Sequence, residues 1–198
     1  MSAAERREQL LDATKEIVSE HGFHAVSIEA VARRAGITRP IVYGHFHDLA
    51  GLLEALVERE TARALAQLDE RRVLPEDLRQ GDPVEQLLAA LRGYLEAVSF
   101  DPDTWRLVLM PPEGAPKALH KLIAEGRSEI VAQLARAVGP GFGRGGESPD
   151  PELTALMLSA VSDEAARLLL TDAERYPVKR LLAHSRWVLS RLLSEGAA

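Results

Sequence analysis

The chain has 198 residues, of which 46% are hydrophobic and 27% charged, with a net charge of −6. That is enough for one domain, or for a small domain joined to a larger one. There is no cysteine, which excludes a disulfide framework, a thiolate metal site and a cysteine nucleophile. The charged N-terminus (Glu5, Arg6, Arg7, Glu8) is unlike a signal peptide, and no apolar run approaches membrane-spanning length. A cytoplasmic protein with no membrane partner is therefore expected.

A first helix is predicted from about Ala3 to Glu20, with Leu10, Leu11, Ile17 and Val18 as its buried stripe and Gly22 as its stop. Phe23 follows and is expected in a small core. Residues 27–46 then read as two short helices joined by a tight turn. Ser27 is an N-cap, and Ile28, Val31, Ala32 and Ala35 recur on one helical face. Gly36 ends that helix, because a left-handed residue is least strained as glycine. Thr38 is expected to cap the second helix, Pro40 sits in its first turn, and Val42 and Phe46 lie one turn apart on its inner side. A small residue at the crossing, a glycine in the turn and a branched apolar wedge are what a helix-turn-helix requires. The competing reading is a plain helical hairpin.

Asp48 is expected to cap a long helix to about Glu70, with Leu49, Leu52, Leu53, Leu56, Leu65 and Leu68 as its stripe. Leu74-Pro75-Glu76 is the expected break. Asp82-Pro83 opens a helix to about Ser99, and Asp101-Pro102 a short one through Met110. Pro111, Pro112, Gly114 and Pro116 form a stiff turn before a helix from Lys117 to Val138. Residues 139–150 read as a flexible loop. Asp150-Pro151 opens a helix to about Leu170, and Tyr176-Pro177 the last, to about Ser194. The fold class is all-α. Residues 1–48 are expected to form a helix-turn-helix domain, and residues 49–198 a larger helical domain.

The last two helices carry more apolar surface than one face needs: Leu153, Leu156, Met157, Ala160, Val161, Leu168 and Leu169, then Val178, Leu181, Leu182, Val188, Leu189, Leu192 and Leu193. This stripe either packs on the chain's own core or meets the same helices of a second copy. The second reading is favoured, because a helix-turn-helix usually needs two copies to read a site.

Gly22-Phe23, Ser27, Val31-Ala32, Ala35-Gly36-Ile37, Thr38, Val42-Tyr43-Gly44-His45-Phe46 and Leu52-Leu53 together resemble the N-terminal pattern of the TetR family of bacterial transcriptional regulators. The resemblance covers about the first quarter of the chain. It implies a homodimeric regulator that binds a double-stranded DNA operator and responds to a small-molecule effector, with residues 1–48 as its DNA-binding domain and residues 49–198 as its regulatory, ligand-binding and dimerisation domain. One departure is local. Where the family often carries a basic residue after the His-Phe pair, this chain has Leu49 preceded by Asp48. That phosphate contact is therefore either lost or taken over by His47.

The resemblance places the second short helix in the major groove, and the helical wheel turns Pro40, Ile41 and Gly44 outward. Arg39 can reach a base edge, Ile41 a thymine methyl, and Gly44 lets backbone approach the duplex. Thr38, Tyr43 and His45 suit phosphate contacts, as does Ser27 at a helix N-terminus. Ser27 and Thr38 are caps first, and Tyr43 could instead edge the core. A metal pair of His45 and His47 is disfavoured, since alternate helical residues point apart.

The charge is awkward for this role. The first 55 residues hold eight acidic and six basic side chains, so few phosphate contacts are expected. In the larger domain, Leu91, Tyr94, Trp105, Met110, His120 and Arg167 are candidates for a ligand pocket, with ordinary core packing as the competing role; Phe100 is placed with them. Arg167 with Asp163 and Glu164 could orient a polar group or form a surface pair. No motif for catalysis, a cofactor or a metal is found, so no enzyme is expected, and the resemblance implies a repressor released from a palindromic operator by an effector. The alternative is a helical ligand carrier, or an interaction module with a head that does not read DNA.

Overall fold

Capping chemistry sets most of the helix ends. In a computed structural model describing residues 1–74, 81–111, 117–138 and 150–194, α1 (Ala3–His21) opens on a capping box. The Ser2 hydroxyl accepts from the Glu5 amide at 3.2 Å, and the Glu5 carboxylate accepts from the Ser2 amide at 2.6 Å. A short 3₁₀ turn at Phe23–Ala25 leads to α2 (Ile28–Arg34) and α3 (Arg39–His45). Asp48 caps α4 (Leu49–Glu70) by accepting from the Gly51 amide at 2.8 Å. Asp82 and Asp150 do the same at the starts of α5 (Pro83–Phe100) and α8 (Pro151–Thr171). The other helices are α6 (Pro102–Leu109), α7 (Lys117–Val138) and α9 (Val178–Ser194). Among the described residues there is no strand, and no helix is long and apolar enough to cross a membrane.

Helix α4 ends at Glu70, where the sequence pattern places its end, while other expectations need correction. Arg72 turns the chain in the left-handed region (φ 47°), and Val73 tucks its side chain in. Leu65 is 36% exposed and drops out of the α4 stripe, as Phe100 (73%) and Met110 (42%) drop out of any interior. Residues 75–80, Pro112, Gly114, Pro116 and the loop at 139–149 lie outside the described residues, as do the side chains of Leu192 and Leu193.

The chain packs as two compact units: Met1–Arg63 with Asp103–Ala124, and Ala64–Pro102 with Glu125–Ala198. A division at 48/49 is therefore not where the packing divides. The first unit takes in most of α4, all but the first residue of α6, and the start of α7. Its core is continuous through Leu10, Leu11, Val31, Val42, Phe46, Leu52, Leu56, Leu107 and Leu119. Within the second unit, α5 packs against α8 and α9. The second half of α7 buries Val131 and Leu134 beside Ala155 of α8.

A buried carboxylate ties three helices of the first unit together. Glu60 of α4 is 1% exposed. It sits 2.8 Å from the Lys15 ammonium of α1, accepts from the Thr104 hydroxyl of α6, and accepts from Arg59 Nε at 2.9 Å. Lys15 also donates to Thr104 at 2.7 Å. Burial raises the Glu60 pKa, but the Lys15 and Thr104 hydrogen bonds and the Lys15 and Arg59 charges outweigh it and hold the carboxyl below its usual range. Arg59 is pulled down by burial but raised overall by Glu60, Glu8 and Asp12.

A depressed folded-state pKa stabilises the fold above the unfolded value, and that contribution is lost as pH falls through the folded one. Glu60→Ala removes the carboxylate that Lys15, Arg59 and Thr104 share and is expected to cost about 3–5 kcal/mol. Urea unfolding at neutral and acidic pH checks both points: the variant should unfold earlier at neutral pH and lose less on acidification than the parent chain.

Candidate nucleic-acid interface

The turn between α2 and α3 is set by backbone geometry. Gly36 adopts φ +67°. Its amide donates to the Arg33 carbonyl at 3.3 Å, and the Ile37 amide donates to the Ala32 carbonyl at 2.9 Å, the paired bonds of a Schellman ending. The α2 stripe is buried at Ile28, Val31 and Ala32. From α1, Gln9 Nε2 donates to the Ala35 carbonyl at 3.2 Å, bracing the turn. Val42 is fully buried and Phe46 is 4% exposed, with the Arg7 guanidinium 4.5 Å from the Phe46 ring centre.

With that face fixed inward, the rest of α3 faces solvent. Thr38, Arg39, Pro40, Ile41, Tyr43 and Gly44 are all exposed, with Ile41 at 41% and Tyr43 at 53%. His45 is half-buried and His47 exposed. Tyr43 therefore does not edge the core. A Cβ built at Gly44 meets nothing within 4 Å, so the surface of α3 is open at its centre.

The two caps differ. The Ser27 hydroxyl accepts from the Ala30 amide at 3.1 Å, which leaves the O–H of this exposed side chain able to donate. Thr38 holds the N-cap position of α3 but makes no side-chain capping bond. The capping role expected of it is corrected: Pro40 and the Ile41 N–H to Thr38 carbonyl bond (3.0 Å) start the helix.

Electrostatics separates the three arginines of α2 and α3. Arg34 is bound to Glu16 at 3.0 Å and to Glu20 at 2.5 Å on α1. The Glu20 and Glu16 hydrogen bonds raise its pKa, and the Arg34 hydrogen bond lowers that of Glu20. It is a brace for the head. Arg39 lies 3.6 Å from Glu29 of α2, with both side chains more than half exposed. Arg33 is exposed, with no ion pair among the described residues. Sequence reasoning missed the Glu29–Arg39 pair. The signal was present, since Glu29 is the only acidic residue between Ser27 and Phe46.

The weak pocket candidates do not share one environment. In the second unit, Leu91 and Tyr94 are buried and Arg167 is half-buried, paired to Glu164 at 3.3 Å. Trp105 is buried in the first unit, while Met110 and His120 are exposed. An interior role for Met110 and His120 is corrected. Asp163 is instead bound by Tyr94, whose hydroxyl donates at 3.0 Å, and by Arg127. Burial pushes the Tyr94 hydroxyl above its usual range, against the pull of Arg167 and Arg127, so it stays a donor.

A three-helix head that exposes the second helix of a helix-turn-helix defines a DNA-binding regulator. Residues 10–56 match the model of the bacterial regulatory proteins, tetR family. The chain is similar to the HTH-type transcriptional regulator BetI of Escherichia coli O45:K1, 31% identical over 148 residues that cover 69% of this chain and 76% of that protein. A TetR-like transcriptional regulator from Rhodococcus sp. RHA1 shares the fold, with a TM-score of 0.75, 24% identity and 98% of each chain covered. SmeT, the repressor of the Stenotrophomonas maltophilia multidrug efflux pump SmeDEF, solved in complex with triclosan, aligns at a TM-score of 0.69, with 26% identity over 94% of this chain and 90% of its own. The chain belongs to the tetR family and is a DNA-binding transcriptional regulator.

Because nothing crowds Gly44, Gly44→Ala should stabilise the chain by about 0.5–1 kcal/mol through helix propensity. Thermal unfolding reads this directly. A loss of duplex binding by the same variant would then come from the exposed face and not from misfolding.

Proposed function

We propose that this regulator is a homodimeric repressor that binds a palindromic operator through α3 and leaves it when a small molecule binds. The observation that carries the DNA half is the division of α3 into a buried Val42–Phe46 side and an exposed side carrying Arg39, Ile41, Tyr43 and Gly44. Arg39 reads a base edge, Ile41 packs on a thymine methyl, and Gly44 admits the backbone to the groove with Pro40 beside it. Thr38, Tyr43, His45, His47 and Ser27 take phosphates, which fix register without reading sequence. The role assigned is binding and release in the cytoplasm, with no catalytic step and no cofactor.

Dimerisation is supported by the outer face of α8. Leu153 (53%), Leu156 (43%), Met157 (63%) and Val161 (64%) are exposed at helical spacing, as is Trp187 (59%) of α9. Leu169 and Leu182, expected in the same stripe, are buried in the second unit's own core. Exposed apolar side chains in this density on one helix mark an association surface. Two copies joined by α8 and α9 would carry two α3 helices to half-sites about 34 Å apart.

The effector half rests on SmeT, which is named a repressor and was solved with triclosan, and on the Tyr94–Asp163–Arg127 cluster inside the second unit. A ligand that prefers one dimer geometry shifts the population away from the operator-binding one.

Gel shifts on the DNA beside the coding sequence test the whole. A retarded band at low salt that weakens only modestly as salt rises is expected, because few cationic groups meet phosphates, and no band on any palindrome there rules the reading out. Arg39→Ala should cost about 1–3 kcal/mol of discrimination at one base pair of each half-site. Met157→Glu combined with Val161→Glu should yield monomers in sedimentation and abolish the specific band, with the helix content unchanged by circular dichroism.

A further inference from the structure

We infer that Glu29 is a specificity-determining residue of this regulator: its carboxylate on α2 holds the Arg39 guanidinium toward base edges and away from phosphates. The inference rests on the reading of α3 as the base-contacting helix and goes beyond it, since Glu29 itself needs no contact with DNA.

An arginine at the start of a recognition helix has two competing acceptors. Base edges carry sequence information, while phosphates bind the same group without it. A free guanidinium on a long side chain samples both, and the time it spends on phosphate adds affinity for every duplex equally. Glu29 sits in the first turn of α2, and Arg39 is the first residue of α3. Glu29 Oε1 lies 3.6 Å from Arg39 Nη2, so the carboxylate engages one edge of the guanidinium. The planar group has five N–H donors. Engaging one edge leaves others for the paired acceptors of guanine, and the tether limits the arc through which the side chain swings.

The surroundings make this pair informative. Arg34, the neighbouring cation, is taken up by Glu16 and Glu20 on α1 and is unavailable to DNA. Arg33 is exposed without an ion pair among the described residues and is open to a phosphate. The α2–α3 pair therefore has one braced, one open and one tethered arginine. The tether is the only negative charge within the two-helix unit. A carboxylate beside the duplex opposes binding, so it makes physical sense there as a selector.

The test uses the full-length dimer and a duplex selected from a randomised pool by the parent protein. Selectivity is the ratio of Kd values for that duplex and for one with the Arg39-dependent base pair replaced. Glu29→Gln removes the charge. Glu29→Asp keeps the charge and withdraws it by one methylene, and aspartate is equally at home in a first helical turn. A tether predicts that both variants lose about two- to fivefold in selectivity, the scale of an exposed ion pair. It also predicts that neither changes selectivity in an Arg39→Ala background.

Simple repulsion by Glu29 predicts something else. Glu29→Gln would strengthen binding to all duplexes alike, and Glu29→Asp would behave as the parent; that result overturns the inference. So does unchanged selectivity in both variants while Arg39→Ala reduces it. Failure of the underlying reading looks different, because Arg39→Ala would then leave the base preferences of the parent intact. Melting curves of each variant confirm that the head is folded.

Discussion

The buried carboxylate of Glu60 is the constraint on which the first unit depends. A carboxylate that far from water is tolerated only when its charge and its lone pairs are met. Here Lys15 comes from α1, Thr104 from α6 and Arg59 from α4 itself. Each partner arrives on a different element or turn, so satisfying Glu60 fixes where three helices stand. Apolar packing alone is less demanding, since Leu11, Leu56 and Leu107 would tolerate small slides past one another. The price of this specificity is a strong penalty for losing any single partner.

That arrangement accounts for how a net-acidic chain presents a DNA-binding face. The acidic side chains of α1 are largely spent internally: Glu8 and Asp12 on Arg59, Glu16 and Glu20 on Arg34. Pairing neutralises the repulsion they would otherwise exert on a phosphate backbone. The exposed side of α3 is then nearly free of negative charge, and Glu29 is the exception. Binding of this kind leans on close fit and a few directed hydrogen bonds more than on a basic field.

Local chemistry made the fold readable. Ser27, Asp48, Asp82 and Asp150 cap helices as their spacing suggests, and Gly36 turns the chain in the left-handed region as a glycine there should. The outward face of α3 followed from placing Val42 and Phe46 inward. Tertiary chemistry was harder to read. Glu60 lies at the i+4 step between Leu56 and Ala64, and Lys15 between Leu11 and Val18. Both sit in apolar register, yet nothing local says that a charge there will find a partner. Leu65 and Phe100 were misplaced for the converse reason: an apolar residue in rough register need not be covered. The length of α4 shows that it runs out of the small N-terminal domain, but the point of division within it is harder to read, because α4 and α7 pass from one unit to the other without any break in helical pattern.

The two tryptophans fall in opposite environments. Trp105 is 3% exposed in the first unit, and Trp187 is 59% exposed on α9, with the His184 ring stacked at 5.8 Å between centroids. Each unit thus contains its own intrinsic fluorophore. Burial should shift the emission of Trp105 to the blue and make it report on the integrity of the first unit, while that of Trp187 should lie to the red and be sensitive to soluble quenchers. Coverage of α9 by another chain would move the second signal and leave the first in place, so a single emission spectrum separates assembly from unfolding without any added label.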